Sequence, residues 1–449
     1  MYDLIVIGGG PGGYHAARLA GKTGMKTLLF EKNELGGVCL NEGCIPSKTL
    51  LHSAKVLDYA RHGKVYGVSA TGVEFDHNAV IARKNGVVKK LVFGVKAQMN
   101  LSAVTVIHEA AQIAGKNLVN AGGETFEAKY IIIATGSEPV VPPLPGLTEA
   151  LSDGFVLTNR EILDLPEVPE NLVIIGGGAV GLEMASYFNS AGGKVTIIEM
   201  MPKIAGQMDG EISNMLMEAL IKKGVRFMIN TKVQAIEQGK VICEGSEVSA
   251  DKVLLSIGRR PVTEGYGLEN AGVTVYKGAI ATDAYMLTSI PDIYAVGDVN
   301  GKHMLAHTAY REAEAAINHM LQRRGFMCYD AIPSVIYTTP EVACVGETLE
   351  SLAAKGIDAG EASLPMTHSG RFVAENAGAV GLIGLCKLVF EKRTRRVRGV
   401  HMLGSYASEI IAAACVIIET QMRLEDVTEI IFPHPSVSEV IKETAFEII

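Results

Sequence analysis

The feature that most constrains the fold is a unit of strand, glycine-rich turn, helix and second strand that occurs twice in the chain. In the first copy, an apolar strand over 4–7 leads into a GxGxxG turn, and a helix follows over about 14–23. A second strand, over 27–30, ends on an acidic residue. The glycines of this turn are Gly8, Gly10 and Gly13, and the acidic residue is Glu31. This register is typical of a dinucleotide-binding unit.

Each part of such a unit has a physical task. The first glycine allows a tight turn, the second lets the backbone approach a pyrophosphate, and the third lets the helix pack closely on the strand. The pyrophosphate lies at the helix N-terminus, where unpaired N–H groups and the helix dipole favour negative charge. The carboxylate accepts hydrogen bonds from the adenosine ribose. The first copy is therefore predicted to bind a dinucleotide.

The second copy repeats this pattern later in the chain, with strands over 172–175 and 194–198 and a helix through about residue 191. Its glycines are Gly176, Gly178 and Gly181, and its acidic residue is Glu199. One glycine-rich turn alone is weak evidence, but two complete units predict a protein that holds two dinucleotides. The natural chemistry between two dinucleotides is hydride transfer between a nicotinamide and a flavin.

Glu199 also indicates which nicotinamide nucleotide binds. A carboxylate at this position hydrogen-bonds the ribose 2′-hydroxyl and repels a 2′-phosphate, whereas NADP-binding proteins place an arginine nearby. The residues that follow Glu199 are Met200, Met201 and Pro202, with no arginine among them. The sequence therefore favours NAD.

Three further apolar segments end in glycine-containing turns. The residues at these turns are Thr135, Gly136, Gly258, Gly297 and Asp298. The first two turns are interpreted as crossovers between domains, and the third as a strand that delivers an aspartate at its carboxyl end. Simple loops and an ordinary strand–turn pair are equally consistent with the spacing alone.

Two of the seven cysteines lie close together in the segment 36–48, which contains three glycines. Cys39 and Cys44 are five positions apart, which on a regular helix separates their α-carbons too far for a comfortable disulfide. The glycines give the backbone freedom to distort that turn. A position near a helix N-terminus also stabilises a thiolate, which suits reversible exchange. Next to a dinucleotide unit, this pair is predicted to be a redox-active disulfide.

Two other interpretations of the pair are two free buried cysteines and a zinc half-site. Zinc ligand pairs usually have two to four residues between them and need a second pair. The sequence contains no second close pair, so no metal site is expected. The other cysteines lie among apolar neighbours and are predicted to be small buried side chains. They are Cys243, Cys328, Cys344, Cys386 and Cys415.

Charge and hydropathy argue against other classes of protein. The 449 residues include 41 basic and 49 acidic side chains, a net charge of −8, which gives no electrostatic footprint for nucleic acid or an anionic membrane. The longest apolar helical run, 410–418, is far short of the roughly 20 residues that span a bilayer. The N-terminus has no basic region ahead of its apolar stretch, so no signal peptide is predicted. A cytoplasmic protein is expected, with an import segment removed before residue 1 as the open alternative.

The segment GGVCLNEGCIPSK, over 36–48 after the first dinucleotide motif, resembles the pyridine nucleotide–disulfide oxidoreductases of class I, and among them the branch that oxidises dihydrolipoamide. The resemblance covers essentially the whole chain. It implies FAD in the first unit, NAD in the second, and a homodimer. It also implies that the substrate is dihydrolipoamide or a lipoyl-bearing protein of a 2-oxoacid dehydrogenase or glycine-cleavage complex, with docking to such a core as a further expectation.

The resemblance also implies roles for single side chains. Cys39 would exchange with the substrate, and Cys44 would face the flavin as a charge-transfer thiolate. Lys48 would lie near the flavin and pair with Glu183 of the NAD-binding helix. Asp298 would bind the ribityl chain of FAD.

The C-terminal family motif is a histidine and proline followed by a glutamate. By resemblance, His434 is the base that moves a proton to and from the substrate thiol, and Glu439 orients it. Without the resemblance, His434 would be interpreted as a loop histidine. The family supplies this dyad from the neighbouring subunit, which would make the dimer obligatory for activity.

The predicted fold class is α/β, with two doubly wound, Rossmann-like dinucleotide-binding domains and an α+β C-terminal interface domain. The predicted ranges are 1–145 for the first part of the FAD-binding domain, 150–265 for the NAD-binding domain, 266–325 for the second part of the FAD-binding domain and 326–449 for the interface domain. The segments 368–372 and 378–389 match the family only loosely, which leaves substrate and docking details open.

Other functions are consistent with parts of the pattern. A glutathione-type reductase uses NADPH, which Glu199 disfavours. A mercuric reductase ends in a further cysteine pair, whereas this chain ends AFEII. A docking subunit of a large acyltransferase core, or a redox sensor that holds flavin without turnover, would belong to a different class. Steady-state turnover separates both of these from an enzyme.

Overall fold

The computed structural model describes residues 1–376 and 383–449. Residues 378–382, part of the loosely matching segment 378–389, lie outside the described residues. The chain divides into two compact units, each built from three segments. The first unit contains Met1–Thr49, Ile81–Val140 and Gly258–Cys328, and the second contains Leu50–Val80, Val141–Ile257 and Tyr329–Ile449.

Strands and helices alternate around each glycine turn, whereas runs of strands without an intervening helix occupy 105–139 and 226–261. The strands are β1 (Tyr2–Ile7), β2 (Thr27–Phe30), β3 (Thr105–Ile107), β4 (Ala111–Gly115), β5 (Leu118–Ala121), β6 (Glu124–Ile133), β7 (Ser137–Pro139), β8 (Val156–Leu157), β9 (Asn171–Ile175), β10 (Lys194–Ile198), β11 (Arg226–Met228), β12 (Val233–Glu237), β13 (Lys240–Cys243), β14 (Ser246–Ser249), β15 (Lys252–Leu255), β16 (Arg259–Pro261), β17 (Val275–Tyr276), β18 (Ala279–Ile280), β19 (Ile293–Ala295), β20 (Ser334–Ile336), β21 (Val342–Gly346), β22 (Ala359–Pro365), β23 (Leu385–Glu391) and β24 (Val397–Leu403).

The helices carry the connections between these strands. They are α1 (Pro11–Lys22), α2 (Gly37–Glu42), α3 (Cys44–His62), α4 (His77–Leu101), α5 (Leu147–Ser152), α6 (Ala179–Ser190), α7 (Gly210–Lys222), α8 (Leu268–Ala271), α9 (Ala306–Met320), α10 (Leu349–Ala354), α11 (Gly370–Asn376), α12 (Ala407–Glu419), α13 (Leu424–Glu429) and α14 (Glu439–Phe446). Within the described ranges, no helix has both the length and the apolar character needed to cross a bilayer.

A parallel sheet forms the centre of the first unit, with the strand order β3-β2-β1-β6-β19. β6 extends beyond this sheet and pairs with β5 and β4 in an antiparallel meander. The last four residues of β1 are apolar and fully buried, as expected for a central parallel strand covered on both faces. α1 packs beside α9. The first glycine turn therefore lies at the carboxyl end of the central strand, where open α/β sheets bind ligands.

The second unit contains one parallel and two antiparallel sheets. The parallel sheet has the order β11-β10-β9-β15-β8, with β9 buried in its centre. β12, β13 and β14 form a three-stranded antiparallel sheet. The order of the five-stranded antiparallel sheet is β20-β21-β24-β23-β22, and α12 and α14 pack on it over an apolar core. The second glycine turn follows β9 in the same way that the first follows β1.

The predicted α/β class is confirmed, and one predicted boundary is wrong. The first helix begins at Pro11, inside the glycine motif, and not near residue 14. Proline is well tolerated at the first helical position, and Gly12 and Gly13 then pack in the first turn. The four predicted domain ranges stay a prediction, since a division into two units does not test them. The prediction that Cys328 is buried is wrong: it is exposed, because it lies in the loop that follows α9, whereas Cys243 and Cys386 are buried as predicted.

Candidate active site

The first glycine turn has no room for side chains at two of its three glycines. Gly8 has a φ of +105°, and a β-carbon there would lie 2.2 Å from the carbonyl oxygen of Ala134. A β-carbon on Gly13 would lie 1.8 Å from the carbonyl oxygen of Gly8. Among the described residues, a β-carbon on Gly10 would approach only the α-carbon of Gly37, at 3.9 Å. The protein backbone thus requires the first and third glycines, while the second faces space that fits a pyrophosphate.

The second turn repeats this geometry. Gly176 has a φ of +107°, and a β-carbon there would lie 2.5 Å from the carbonyl oxygen of Ser256. A β-carbon on Gly181 would lie 2.2 Å from the carbonyl oxygen of Gly176. A β-carbon on Gly178 would meet no described atom within 4 Å. The two turns therefore present the same opening at the same position.

Each turn leads into a helix whose N-terminus is open to an anion. Gly10 precedes α1 and Gly178 precedes α6, and no side chain in the described part of the chain caps either helix. An uncapped N-terminus presents free N–H groups and the positive end of the helix dipole. The residues at both turns therefore fit the pyrophosphate of a dinucleotide.

The acidic residues of the two units make matching hydrogen bonds. Glu31 accepts from the backbone N–H of Gly9 at 2.7 Å and from that of Asn33 at 2.7 Å. Glu199 likewise accepts from the N–H of Gly177 at 2.7 Å and from that of Met201 at 2.8 Å. Each carboxylate therefore joins its glycine turn to the end of the following strand. Contact of either one with a ribose stays a prediction.

Asp298 lies in a polar network of the first unit. The hydroxyl of Ser137 donates to its Oδ2 at 2.5 Å, and Arg259 Nε donates to that hydroxyl oxygen at 2.7 Å. The N–H of Gly297 donates to a carboxylate oxygen of Glu312 at 2.6 Å. Burial raises the pKa of Asp298, and the Ser137 hydroxyl bond and the Arg259 charge oppose that rise. An acceptor held this way suits a hydroxyl-bearing ligand.

The turns at Gly136 and Gly258 lie beside each other. β7 and β16 pair antiparallel, and the N–H of Val262 donates to the carbonyl oxygen of Gly136 at 3.0 Å. The hydroxyl of Thr135 donates to the carbonyl oxygen of Val262 at 2.7 Å. The chain leaves the first unit after Val140 and returns to it at Gly258. The two turns thus stand where the chain crosses between units.

Cys39 and Cys44 lie on two different helices that meet at Gly43. α2 ends at Glu42 and α3 begins with Cys44, so the helical backbone is interrupted between the two cysteines. A β-carbon on Gly43 would lie only 3.0 Å from the carbonyl oxygen of Val38, which favours glycine at the interruption. The two thiols are in hydrogen-bonding contact, which a continuous helix would not permit. The structure thus brings the predicted pair together.

A lysine and two tyrosine hydroxyls lie near the two thiols. The hydrogen bond with Cys44, and then burial, raise the pKa of Cys39, while the charge of Lys48 acts in the opposite direction. The hydroxyls of Tyr14 and Tyr310 hydrogen-bond each other. Burial raises the pKa of both phenols, and negative charge on Cys39 raises it further. Both tyrosines therefore stay protonated near the thiol pair.

His434 and Glu439 form a hydrogen-bonded dyad. His434 Nδ1 lies 2.7 Å from Glu439 Oε1, and the other carboxylate oxygen accepts the N–H of Ser436 at 2.8 Å. The Ser436 bond first, and the His434 bond with it, lower the pKa of Glu439. The imidazole is 80% exposed. With Nδ1 engaged, Nε2 is the nitrogen left to exchange a proton with a ligand.

Lys48 and Glu183 belong to different units. Lys48 lies near the start of α3, in the first unit. Glu183 lies in α6, is buried, and accepts the N–H of Tyr337 at 3.1 Å. Their pairing stays a prediction, as do the roles of all the predicted site residues.

The sequence did not single out Ser137, Arg259, Tyr14 and Tyr310. Ser137 and Arg259 meet through the pairing of β7 with β16, and Tyr14 and Tyr310 meet through the packing of α1 on α9. No local pattern signals either contact. In the described ranges, no group of three or more histidine, cysteine, aspartate or glutamate side chains is placed to hold a metal ion.

Comparison with known families decides between the remaining interpretations. Residues 2–313 match the family described as pyridine nucleotide-disulphide oxidoreductase, and residues 332–445 match the dimerisation domain of the same family. The chain belongs to this family. Its glycine turns and cysteine pair are thus parts of a flavin-dependent disulfide oxidoreductase.

Relatives of the chain share its full length. It is 39% identical over 453 residues to the dihydrolipoyl dehydrogenase of Mycoplasma pneumoniae, which covers 98% of this chain and 97% of the relative. It is 39% identical over 455 residues to the dihydrolipoyl dehydrogenase of Thermus scotoductus, and the match covers 99% of this chain and 96% of the relative. It is 37% identical over 462 residues to the mitochondrial dihydrolipoyl dehydrogenase 1 of Arabidopsis thaliana, and the match covers 99% of this chain and 89% of the relative.

Solved structures give the same fold. LpdA from Mycobacterium tuberculosis matches with a TM-score of 0.90 at 26% identity, over 100% of both chains. The Cu(II) complex of the HOCl-induced flavoprotein disulfide reductase RclA from Escherichia coli matches with a TM-score of 0.88 at 28% identity, over 100% of this chain and 99% of that one. Both matches extend over the two nucleotide-binding regions and the C-terminal region.

Membership of the family confirms the predicted class of enzyme. The chain is an oxidoreductase, and the predicted cofactors FAD and NAD are those of its family. Similarity to dihydrolipoyl dehydrogenases over the full length does not favour the glutathione-type, mercuric or docking-only alternatives. The chain also carries the dimerisation domain of the family.

Proposed function

We propose that this protein is a homodimer that oxidises dihydrolipoyl groups to lipoyl groups with NAD as the electron acceptor. The observation that carries the proposal is the contact between Cys39 and Cys44 at the break between α2 and α3. It is supported by two matching dinucleotide turns and by full-length similarity to dihydrolipoyl dehydrogenases.

The cysteine pair accepts two electrons from the substrate by thiol–disulfide exchange. His434 removes a proton from one substrate thiol, and the resulting thiolate attacks the sulfur of Cys39 in the oxidised pair. The Cys39–Cys44 bond breaks, and Cys44 leaves as a thiolate. His434 then gives its proton to Cys39 as that sulfur leaves and takes the proton of the second substrate thiol, which attacks the substrate sulfur of the mixed disulfide and closes the lipoyl ring. The substrate is oxidised by two electrons and the pair is reduced by two.

The position of Cys44 suits a leaving thiolate. It is the first residue of the 19-residue helix α3, so the positive end of the helix dipole faces its sulfur. The charge of Lys48, four positions further along the same helix, also favours negative charge on the pair. FAD, when bound at the first glycine turn, supplies the two-electron path from the reduced pair to NAD.

The homodimer in this proposal provides the acid–base group. The matched dimerisation domain, residues 332–445, includes both His434 and Glu439. Within one chain the imidazole of His434 is exposed, so a second subunit has access to it. We infer that each dyad serves the cysteine pair of the other subunit. Docking to a 2-oxoacid dehydrogenase core and a cytoplasmic location stay predictions from the sequence.

Trapping of thiols tests this function directly. The oxidised holoprotein is mixed with dihydrolipoamide without NAD, and its thiols are alkylated and located by mass spectrometry. We expect the labelling of Cys39 and Cys44 to rise with the formation of lipoamide, while exposed Cys328 is labelled equally before and after. Reduction of the pair by glutathione but not by dihydrolipoamide would instead support a glutathione-type enzyme.

The matching carboxylates give a prediction about cofactor assignment. Replacing Glu199 with glutamine removes the charge of the carboxylate at the second turn, and we expect the KM for NAD to rise about tenfold with the flavin retained. Discrimination against NADP should also fall, because the charge that repels a 2′-phosphate is lost. Steady-state kinetics with both nucleotides measures these changes.

Glu31→Gln is the matched control, since it makes the same change at the first turn. We expect it to weaken retention of FAD and to leave the KM for NAD within about twofold in protein reconstituted with flavin. An equal rise in the KM for NAD in both variants would contradict the assignment of NAD to the second turn.

A further inference from the structure

A buried lysine lies on β23, in the predicted interface domain. The side chain of Lys387, on β23, is 5% exposed and that of Asp209 is 2% exposed, with Nζ 3.2 Å from Asp209 Oδ2. Nζ also lies 2.8 Å from a carboxylate oxygen of Glu211 and 3.6 Å from one of Glu361. His401, which lies opposite Lys387 where β23 pairs with β24, is buried beside these side chains. A lysine with so little exposure is stable only with partners of this kind.

Asp209 is the link between this lysine and the second dinucleotide unit. Its Oδ1 accepts the backbone N–H groups of Glu211 at 3.0 Å and Ile212 at 3.1 Å, so it caps α7. Its Oδ2 faces Lys387. Burial by itself raises the pKa of Asp209, but the Ile212 N–H and the Lys387 charge lower it below its ordinary value. The carboxylate is therefore charged and held from two sides.

The residues just before Asp209 form a loop, 200–208, that packs against the second glycine turn. The N–H of Ala205 donates to the carbonyl oxygen of Gly177 at 2.8 Å. The side chain of Ile204 comes within 3.1 Å of the position that a β-carbon on Gly177 would take. Glu199, the carboxylate predicted to bind the ribose, accepts the N–H of Met201 at the start of the loop. The loop thus connects Glu199, the predicted ribose ligand, to Asp209.

We propose that Lys387 is a positioning residue for the pyridine nucleotide, because through Asp209 it fixes the end of the loop that packs on Gly177 and Glu199. The inference rests on the proposed assignment of NAD to the second turn. The lysine comes from the C-terminal region, 178 positions from Asp209 in the sequence. Replacing it would leave a buried carboxylate unpaired, and the loop end would shift to reach solvent.

Two variants separate this role from general stability. Lys387→Met keeps the length and packing of the side chain and removes the charge. Asp209→Asn keeps the helix cap, since asparagine caps as well as aspartate, but removes the charge that faces the lysine. Lys392→Met is the matched control, because Lys392 lies just after the same strand and pairs with Asp358 at 2.8 Å on the surface.

The measurement is the Kd of the holoenzyme for NAD, well below the melting temperature, together with the rate of flavin reduction by dihydrolipoamide. For Lys387→Met we expect the Kd to rise on the order of tenfold and flavin reduction to stay within about twofold of wild type. In the Asp209→Asn background, Lys387→Met should raise the Kd for NAD by less than about a further twofold, because the ion pair between the two side chains is already lost. Lys392→Met should leave both quantities unchanged.

An unchanged Kd for NAD in Lys387→Met, even with a lower melting temperature, would reduce the lysine to a structural role and overturn the inference. If that variant does not fold, Asp209→Asn decides alone: a Kd within about twofold of wild type would overturn the inference, and a rise beyond it would support it. If the wild-type protein binds no NAD, the nucleotide assignment fails and the inference fails with it. Binding by wild type but no difference in the variants leaves the proposed function intact.

Discussion

Replacing Cys44 with serine is expected to abolish the oxidation of dihydrolipoamide, with a loss in kcat of at least about 10³-fold. Serine fits the site, because it is nearly the same size and can keep the first position of α3. It cannot form a disulfide with Cys39, so the substrate thiolate has no bond to break. The hydrogen bond between the two side chains survives, and the protein should fold and keep its flavin. NADH formation in the steady state measures the loss.

Cys328→Ser is the control for this substitution. Cys328 is exposed and belongs to the first unit, as the pair does, but it lies far along the chain from the glycine-rich segment. We expect its activity to equal that of wild type. Retention of more than about a tenth of wild-type activity by Cys44→Ser would show that the pair is not the electron acceptor.

Replacing His434 with glutamine is expected to lower kcat between about 10²- and 10⁴-fold, the range usual for loss of a general base. Glutamine can still accept a hydrogen bond, but it cannot take a proton from the substrate thiol. Replacing Glu439 with glutamine should lower kcat less than replacing His434 does, because the imidazole remains.

His368→Gln is the matched control. His368 is also exposed in the second unit, but its ring hydrogen-bonds the carbonyl oxygen of Pro365 and, among residues 1–376 and 383–449, no carboxylate. We expect His368→Gln to change kcat by no more than about twofold. A kcat of Glu439→Gln equal to that of wild type would contradict the role of the dyad.

The parts of the site that the sequence predicted are those that depend on local pattern. The carbonyl oxygen of Gly8, in the same strand–turn–helix unit, leaves no room for a side chain at Gly13, and the turn itself gives Gly8 a φ of +105°. The glycine spacing of the turn is therefore a local pattern that the sequence displays. The interruption at Gly43 was predictable for the same reason, because two cysteines five positions apart need a broken helix to meet. His434 and Glu439 also meet over a short separation, but the family motif was needed to find them.

Two contacts between distant segments were not predicted. Ser137 and Arg259 are 122 positions apart, and Lys387 and Asp209 are 178 apart. Each pair depends on which strands become neighbours, and no periodicity within a single segment contains that information. The early start of α1 at Pro11 was missed for a different reason, since the glycines of the motif obscure the helical pattern.

Transfer of electrons from dihydrolipoyl thiols to NAD is best measured in the complete reaction. The purified flavoprotein is mixed with dihydrolipoamide and NAD, with NADP in place of NAD as the control, and absorbance of the reduced nucleotide is followed. We expect rapid formation of NADH and little or no NADPH. No reduction of either nucleotide by protein that retains its flavin would exclude the proposed reaction and direct attention to other disulfide substrates, beginning with glutathione.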